Sequence, residues 1–410
     1  MKIVFLIPKA GIGGGNYVVI QHALWAQQNG HDVTIATLSR DSPYENVWHP
    51  AIPILNFRHI DELTDIRYDV AIATYWSTAL ELHNLNAHQY VNFVQSIESR
   101  FYGIDAVEVR ALIDSIYKLK LPVVTEATWI KKYLERENNR RCELVRNGIR
   151  KDLYEPTGNC ISRRKVGRLR VLVEGPFTAL KNTARAMATA RRAGAHEIWI
   201  LTTSDIPWYP HANRIFSSVA IDKVPPIYRS CDAIIKLSLV EGMFGPPLEM
   251  FHCGGTAVVY DVSGHDEYIV NNKNALVAPM HDEAKVIDSI RRLRDDPQLL
   301  ETLKRSALET AAGWPSWEVS SEQFMNALEQ LYATETYTQE QLRSETNILR
   351  EKYQSQLRQA RQNEDGSYLE RIAILSAIKR KVRQYKTYAN NVIDGYRQQS
   401  ISSTEHETSR

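Results

Sequence analysis

The 410-residue chain is 43% hydrophobic and 24% charged, the balance of a soluble protein with a sizeable core, and its length fits two or three domains. Its 50 basic and 48 acidic side chains leave a net charge of +2, so no global field calls for nucleic acid. The four scattered cysteines lack CxxC spacing, which argues against a zinc site or a disulfide framework and for a reducing compartment.

In chain order, Lys2 to Pro8 reads as a continuous apolar strand of the kind buried on both faces of a parallel sheet. MKIVFLIPKAG lacks the layout of a secretory signal, and no run reaches the ~18 apolar residues of a membrane span. The expectation is therefore a cytoplasmic protein, at most peripheral at the inner face of the cell membrane. A loop with Gly13, Gly14 and Gly15 follows, then a helix from Tyr17 to Asn29 closed by Gly30, then a strand from His31 to Ala36. Together these make one βαβ unit. Further strands are expected at Asp69 to Thr74, Gln89 to Val94, Leu121 to Thr125 and Cys142 to Val145, with a helix from Thr128 to Glu137.

The polar, basic stretch Thr157 to Arg168 reads as a linker. A second series then begins, with strands at Arg170 to Val173, Glu197 to Thr202, Ala233 to Leu237 and Thr256 to Tyr260, and a helix from Asn182 to Ala193. The expected architecture is α/β, two facing Rossmann-like domains of residues 1–160 and 161–332, followed by a helical, coiled-coil-like extension over 333–410. In that extension Leu342, Thr346, Leu349, Tyr353, Leu357 and Ala360 approach a heptad seam. A second amphipathic stretch from Ile372 to Tyr396 carries a basic cluster from Lys379 to Lys386, and ISSTEHETSR reads as a disordered tail. Residues 336–398 are thus expected to support self-association, peripheral membrane contact, or both.

The most informative stretch is DAIIKLSLVEGMFGPPLEMFHCGG, Asp232 to Gly255. A strand ends at Ser238, a glycine-containing turn follows, and a helix is expected to start near Pro247. The amides of Met243, Phe244 and Gly245 then lie beside a helix N-terminus, which favours a phosphate or sugar oxygen. Glu241 at the mouth can hydrogen-bond sugar hydroxyls. Glu249, placed in the first helical turn, can accept both hydroxyls of a ribose when ionised. Glu98 and Glu126 fall near strand ends and suit either acceptor hydroxyls or a solvated surface. No acidic residue is placed for a dinucleotide ribose about twenty residues after the first glycine loop, so NAD binding is disfavoured.

This stretch resembles the E-G-F-G-x-P-x-x-E-A-M-A-x-G signature of the family-4 retaining glycosyltransferases with the GT-B fold. The counterparts are Glu241-Gly242, Phe244-Gly245, Pro247, Glu249-Met250 and Gly254-Gly255. The Gly13–Gly15 loop, Gly30-His31-x-Val33, Asn147-Gly148-Ile149, Gly264-x-x-Glu267-Tyr268-Ile269 and Asn274-Ala275-Leu276-Val277 appear in the family's order. QSIESRFYG and EGPFTALKN are similar to members that handle rhamnose in surface glycan assembly.

The resemblance implies transfer of a sugar from a nucleotide diphosphate donor to a glycan or lipid-linked acceptor, with no metal or other cofactor. It implies that Lys181 and Glu241 act on the donor, with Gly14, Gly15, Gln95, Gly242, Met243, Phe244, Gly245 and Glu249 completing the donor site. Pro176 stands where the family has an arginine, so the diphosphate has to be neutralised with fewer charges or by another base such as Lys236. Gln95 stands in place of a histidine and cannot titrate. Two further readings stay open from the residues, a nucleotide-sugar epimerase on the same fold and a non-catalytic assembly protein with a decayed donor site.

Overall fold

The computed structural model describes residues 1–363 except 46, 140, 333, 335 and 336, with side chains described to residue 357. The amphipathic stretch Ile372 to Tyr396, its basic cluster and the tail lie outside the described residues, as does the side chain of Ala360.

The first half contains β1 (Lys2–Ile7), α1 (Gly14–Gln28), β2 (Asp32–Thr37), β3 (Asn56–His59), β4 (Arg67–Ala73), α2 (Trp76–Glu81), β5 (Asn86–Val94), α3 (Val107–Ile116), β6 (Val123–Thr125), α4 (Thr128–Asn138) and β7 (Cys142–Leu144). Its seven strands run in the order β3-β2-β1-β4-β5-β6-β7, all parallel. Ile3 to Ile7 are buried, because helices cover both faces of such a sheet. Gly30 closes α1 at φ +85°, a left-handed turn that suits glycine.

The second half contains β8 (Arg170–Glu174), α5 (Thr183–Ala193), β9 (Glu197–Thr202), β10 (Arg214–Ser217), α6 (Val224–Ser230), β11 (Ala233–Lys236), α7 (Gly245–His252), β12 (Thr256–Tyr260), β13 (Leu276–Ala278), α8 (Glu283–Asp295) and α9 (Pro297–Ala312). Its six parallel strands run β10-β9-β8-β11-β12-β13. In both sheets the order reverses beside the first strand, between β1 and β4 and between β8 and β11. Open parallel sheets leave a crevice at the carboxyl ends of strands at such points.

Two helices complete the described chain, α10 (Trp317–Tyr332) and α11 (Gln339–Asn363). Although α10 follows the second sheet in sequence, its buried Trp317, Phe324 and Leu328 belong to the core of the first half with Ile3, Phe5 and Phe93. Trp314 Nε1 donates to the Asn147 carbonyl at 2.8 Å and Ser320 Oγ to the Arg146 carbonyl at 2.7 Å. The amino-terminal turns of α11 also dock on the first half: Leu342 and Thr346 are fully buried, and Thr346 Oγ1 lies 3.1 Å from His83 Nδ1. Among the described residues no helix is long and apolar enough to cross a membrane.

Candidate donor site at the strand-order reversal

The carboxyl ends of β1, β8 and β11 open on a cleft of about 740 Å³ walled by both halves. On the first-half side, the glycine loop after β1 leads directly into α1. The helix begins at Gly14, three residues earlier than the sequence suggests, so Gly14 and Gly15 form its first turn. Amides there have no intrahelical partner and point outward, which suits an anion. Gly15 also packs closely on Gln95, because a Cβ there would come within 3.2 Å of Gln95 Oε1. Gln95 itself donates to the Thr74 carbonyl at 3.3 Å, so it forms a fixed wall of the cleft.

On the second-half side, β8 ends at Glu174 and the chain turns through Gly175, Pro176 and Lys181. Gly175 has φ +129° and faces Thr183 and Lys181 closely, so a side chain there would be strained and crowded. The turn is tied to the segment after β11 by a bond from the Leu239 amide to the Leu180 carbonyl at 2.8 Å. This places Lys181 Nζ 2.8 Å from Glu241 Oε1. Lys236, at the end of β11, is 3% exposed, pairs with Glu174 and lies 3.8 Å from Glu241. Two ammoniums and two carboxylates therefore interlock at the crevice.

The electrostatics follow from that arrangement. Burial alone would raise the Glu241 carboxyl, but Lys181 and Lys236 outweigh it and hold the group below the usual carboxylate range. Burial disfavours the charge on Lys236, yet Glu174 and Glu241 keep its ammonium above the ordinary value. Glu249 differs: burial, with Glu174 adding repulsion, pushes it up to about 8 against the nearby phenols of Tyr228 and Tyr154. Near neutral pH it is mainly the neutral acid, offering one donor besides acceptor capacity rather than two anionic oxygens.

The helix α7 begins at Gly245, not near Pro247, so Glu249 sits beyond its first turn. Of the amides expected to be free, that of Met243 donates to Glu126 Oε1 at 3.0 Å and that of Gly245 to the Met243 carbonyl at 3.0 Å. Phe244 is wholly buried, and its carbonyl accepts from the Tyr268 hydroxyl, so this residue anchors the turn in the core. Glu98 and Glu126 are not solvated: they are 3% and 5% exposed. Burial pushes Glu98 up to about 8 against the Trp76 amide, and Glu126 up to about 7 against Asn147 and the Met243 amide.

Gly242 is held from several sides. A Cβ there would overlap the Gln95 carbonyl oxygen, and its own carbonyl accepts from Trp129 Nε1 at 2.9 Å. Glu174, Trp129 and the role of Glu267 were not visible as site residues in the sequence. The available signal for Glu174 is a carboxylate closing the apolar run Val171 to Val173 immediately before a glycine turn.

Residues 212–310 match the family model described as Glycosyl transferases group 1, a span well under half of the chain. No curated protein sequence matches the chain. Solved structures share its fold. Sucrose-phosphate synthase from Thermosynechococcus elongatus superposes with a TM-score of 0.64 at 17% identity, covering 81% of this chain and 100% of that one. HepE from Anabaena in complex with UDP-glucose gives 0.66 at 13% identity, covering 81% and 100%. WaaG, a glycosyltransferase involved in lipopolysaccharide biosynthesis, gives 0.60 at 12% identity, covering 78% and 98%. The architecture is thus that of GT-B glycosyltransferases, and the matched region together with the shared fold supports a glycosyltransferase.

Proposed function

We propose that the protein is a retaining glycosyltransferase that takes a sugar from a nucleotide diphosphate sugar and places it on a glycan or lipid-linked saccharide in cell-surface polysaccharide synthesis. Rhamnose is the sugar to test first. The observation that carries the reading is the convergence of Lys181, Lys236 and Glu241 at the crevice, opposite the amino-terminal turn of α1.

In this reading the bond from the anomeric carbon to the donor phosphate oxygen breaks. The acceptor hydroxyl oxygen bonds that carbon on the same face, and its proton passes to the departing phosphate oxygen. Lys181 and Lys236 meet the charge that grows on the diphosphate, compensating for Pro176 where the family has an arginine, and the amides of Gly14 and Gly15 add to them. Glu241 holds sugar hydroxyls and Glu249 the ribose, while Gln95, Gly242, Met243 and Gly245 shape the donor wall and buried Phe244 anchors it from behind. Fixing both reactants in one cleft supplies the rest of the acceleration. No metal takes part in this account.

The test is transfer from a panel of labelled nucleotide diphosphate sugars to acceptor saccharides, with and without EDTA. Labelled product that persists in EDTA supports the reading. Isomerised donor without transfer, or activity abolished by EDTA and restored by magnesium or manganese, contradicts it.

A further inference from the structure

The turn that carries Glu241 is held by residues of the first half. The segment from the end of β6 into α4 contributes two contacts to it. Glu126 Oε1 accepts from the Met243 amide at 3.0 Å while its other oxygen accepts from Asn147 Nδ2 at 2.8 Å. Trp129 Nε1 donates to the Gly242 carbonyl at 2.9 Å. The two bonds fix the donor and the acceptor groups of successive residues, so both the position and the tilt of the turn are set.

The supporting segment is itself tied to the second half. At the N-cap of α4 stands Ala127, whose methyl group cannot cap. Glu267, with a side chain 3% exposed, substitutes from the other half: it accepts from the Thr128 amide, from Thr128 Oγ1 at 2.9 Å and from Arg146 Nε at 3.1 Å. Gly264 completes the packing, since a Cβ there would overlap the Gly242 carbonyl oxygen and approach Trp129 Nε1. Ser263 Oγ, on the same segment, donates to the Glu241 carbonyl at 3.0 Å.

We propose that Glu126 and Trp129 are positioning residues for the Glu241–Met243 turn, holding from the first half the peptide that follows the donor-site carboxylate. This inference rests on the glycosyltransferase reading for its consequence in turnover, though its geometric content does not. The turn carries the carboxylate assigned to the transferred sugar, and a displacement of about 1 Å there is enough to lower a rate by about a hundredfold.

Hydrogen exchange of the full-length, ligand-free protein tests it, read on peptides covering residues 240–246. The variants are Trp129→Phe, Glu126→Ala and Glu126→Gln. The phenyl ring keeps most of the packing and deletes the N–H. The Glu126→Gln amide retains a carbonyl oxygen for the Met243 amide. Its NH₂ group finds an acceptor if Asn147 flips, because Asn147 Oδ1 has no partner among the described residues. We expect exchange in Trp129→Phe and Glu126→Ala to quicken by about tenfold or more, and Glu126→Gln to restore slow exchange. In transfer assays, Trp129→Phe should lower kcat with the donor KM little changed.

Unchanged exchange in Trp129→Phe, or Glu126→Gln exchanging as fast as Glu126→Ala, overturns the proposal. Faster exchange with wild-type kcat also overturns it. A wild-type protein that binds none of UDP, GDP and dTDP defeats the glycosyltransferase reading instead, and the exchange comparison still decides whether the turn is held as described.

Discussion

At the scale of single residues, the site turns on which carboxyls keep their charge. Glu241, flanked by two ammoniums, stays ionised, whereas Glu249 is held toward its neutral form by burial and by Glu174. We expect Lys181→Ala and Glu241→Ala each to reduce transfer by roughly 10²-fold or more in a folded protein, as loss of one group that stabilises the transition state typically does. Steady-state kinetics with circular dichroism checks this.

Glu249→Gln should behave differently. The folded carboxyl, raised to about 8 from an ordinary 4.5, binds more proton than the unfolded one between those values, so its ionisation costs stability as pH rises through that window. An amide cannot ionise. The variant should therefore melt higher than wild type at pH 8, by on the order of 5 °C, and converge with it below pH 4.5. A melting difference independent of pH would contradict this. The E-x7-E pair was legible in the sequence because both glutamates flank one glycine turn. The burial of Glu98 and Glu126 was not, because a carboxylate near a strand end reads alike whether it meets water or buried partners, which for Glu98 lie in its own half and for Glu126 include the Met243 amide of the other.

Among the elements, the legible ones were those buried on both faces. Glu197–Thr202 and Thr256–Tyr260 fall where the apolar runs place them. The strands missed lie at sheet edges: Asn56–His59 and Arg214–Ser217 have no fully buried residue, and Leu276–Ala278 is only three residues long. Asn56–His59 and Arg214–Ser217 mix polar and apolar residues, so no continuous apolar run marks them. The seam of α11 was legible as apolar spacing, but its first contacts are with the first half of the same chain, through Leu342, Thr346 and His83. A truncation that tests the extension should therefore spare those turns. We propose that removing residues 364–410 leaves nucleotide binding intact and lowers self-association, binding to anionic vesicles, or both. Unchanged sedimentation together with unchanged vesicle flotation would exclude both roles.

For the whole molecule, two parallel sheets present their strand-order reversals to one cleft, and α10 returns the chain to the first half after the second is complete. That return was not legible, because an amphipathic helix shows that it has an apolar face but not which core receives it. The arrangement gives the cleft walls of different character, helix-terminal amides on one side and an interlocked Lys–Glu cluster on the other. The reaction proposed for this cleft is sugar transfer with retention. It is tested most directly by NMR of the product formed from an anomerically defined nucleotide diphosphate sugar. A new glycosidic bond with the same anomeric configuration as the donor is the expected result. A product of opposite configuration, or an altered donor with no glycosidic bond formed, would contradict it.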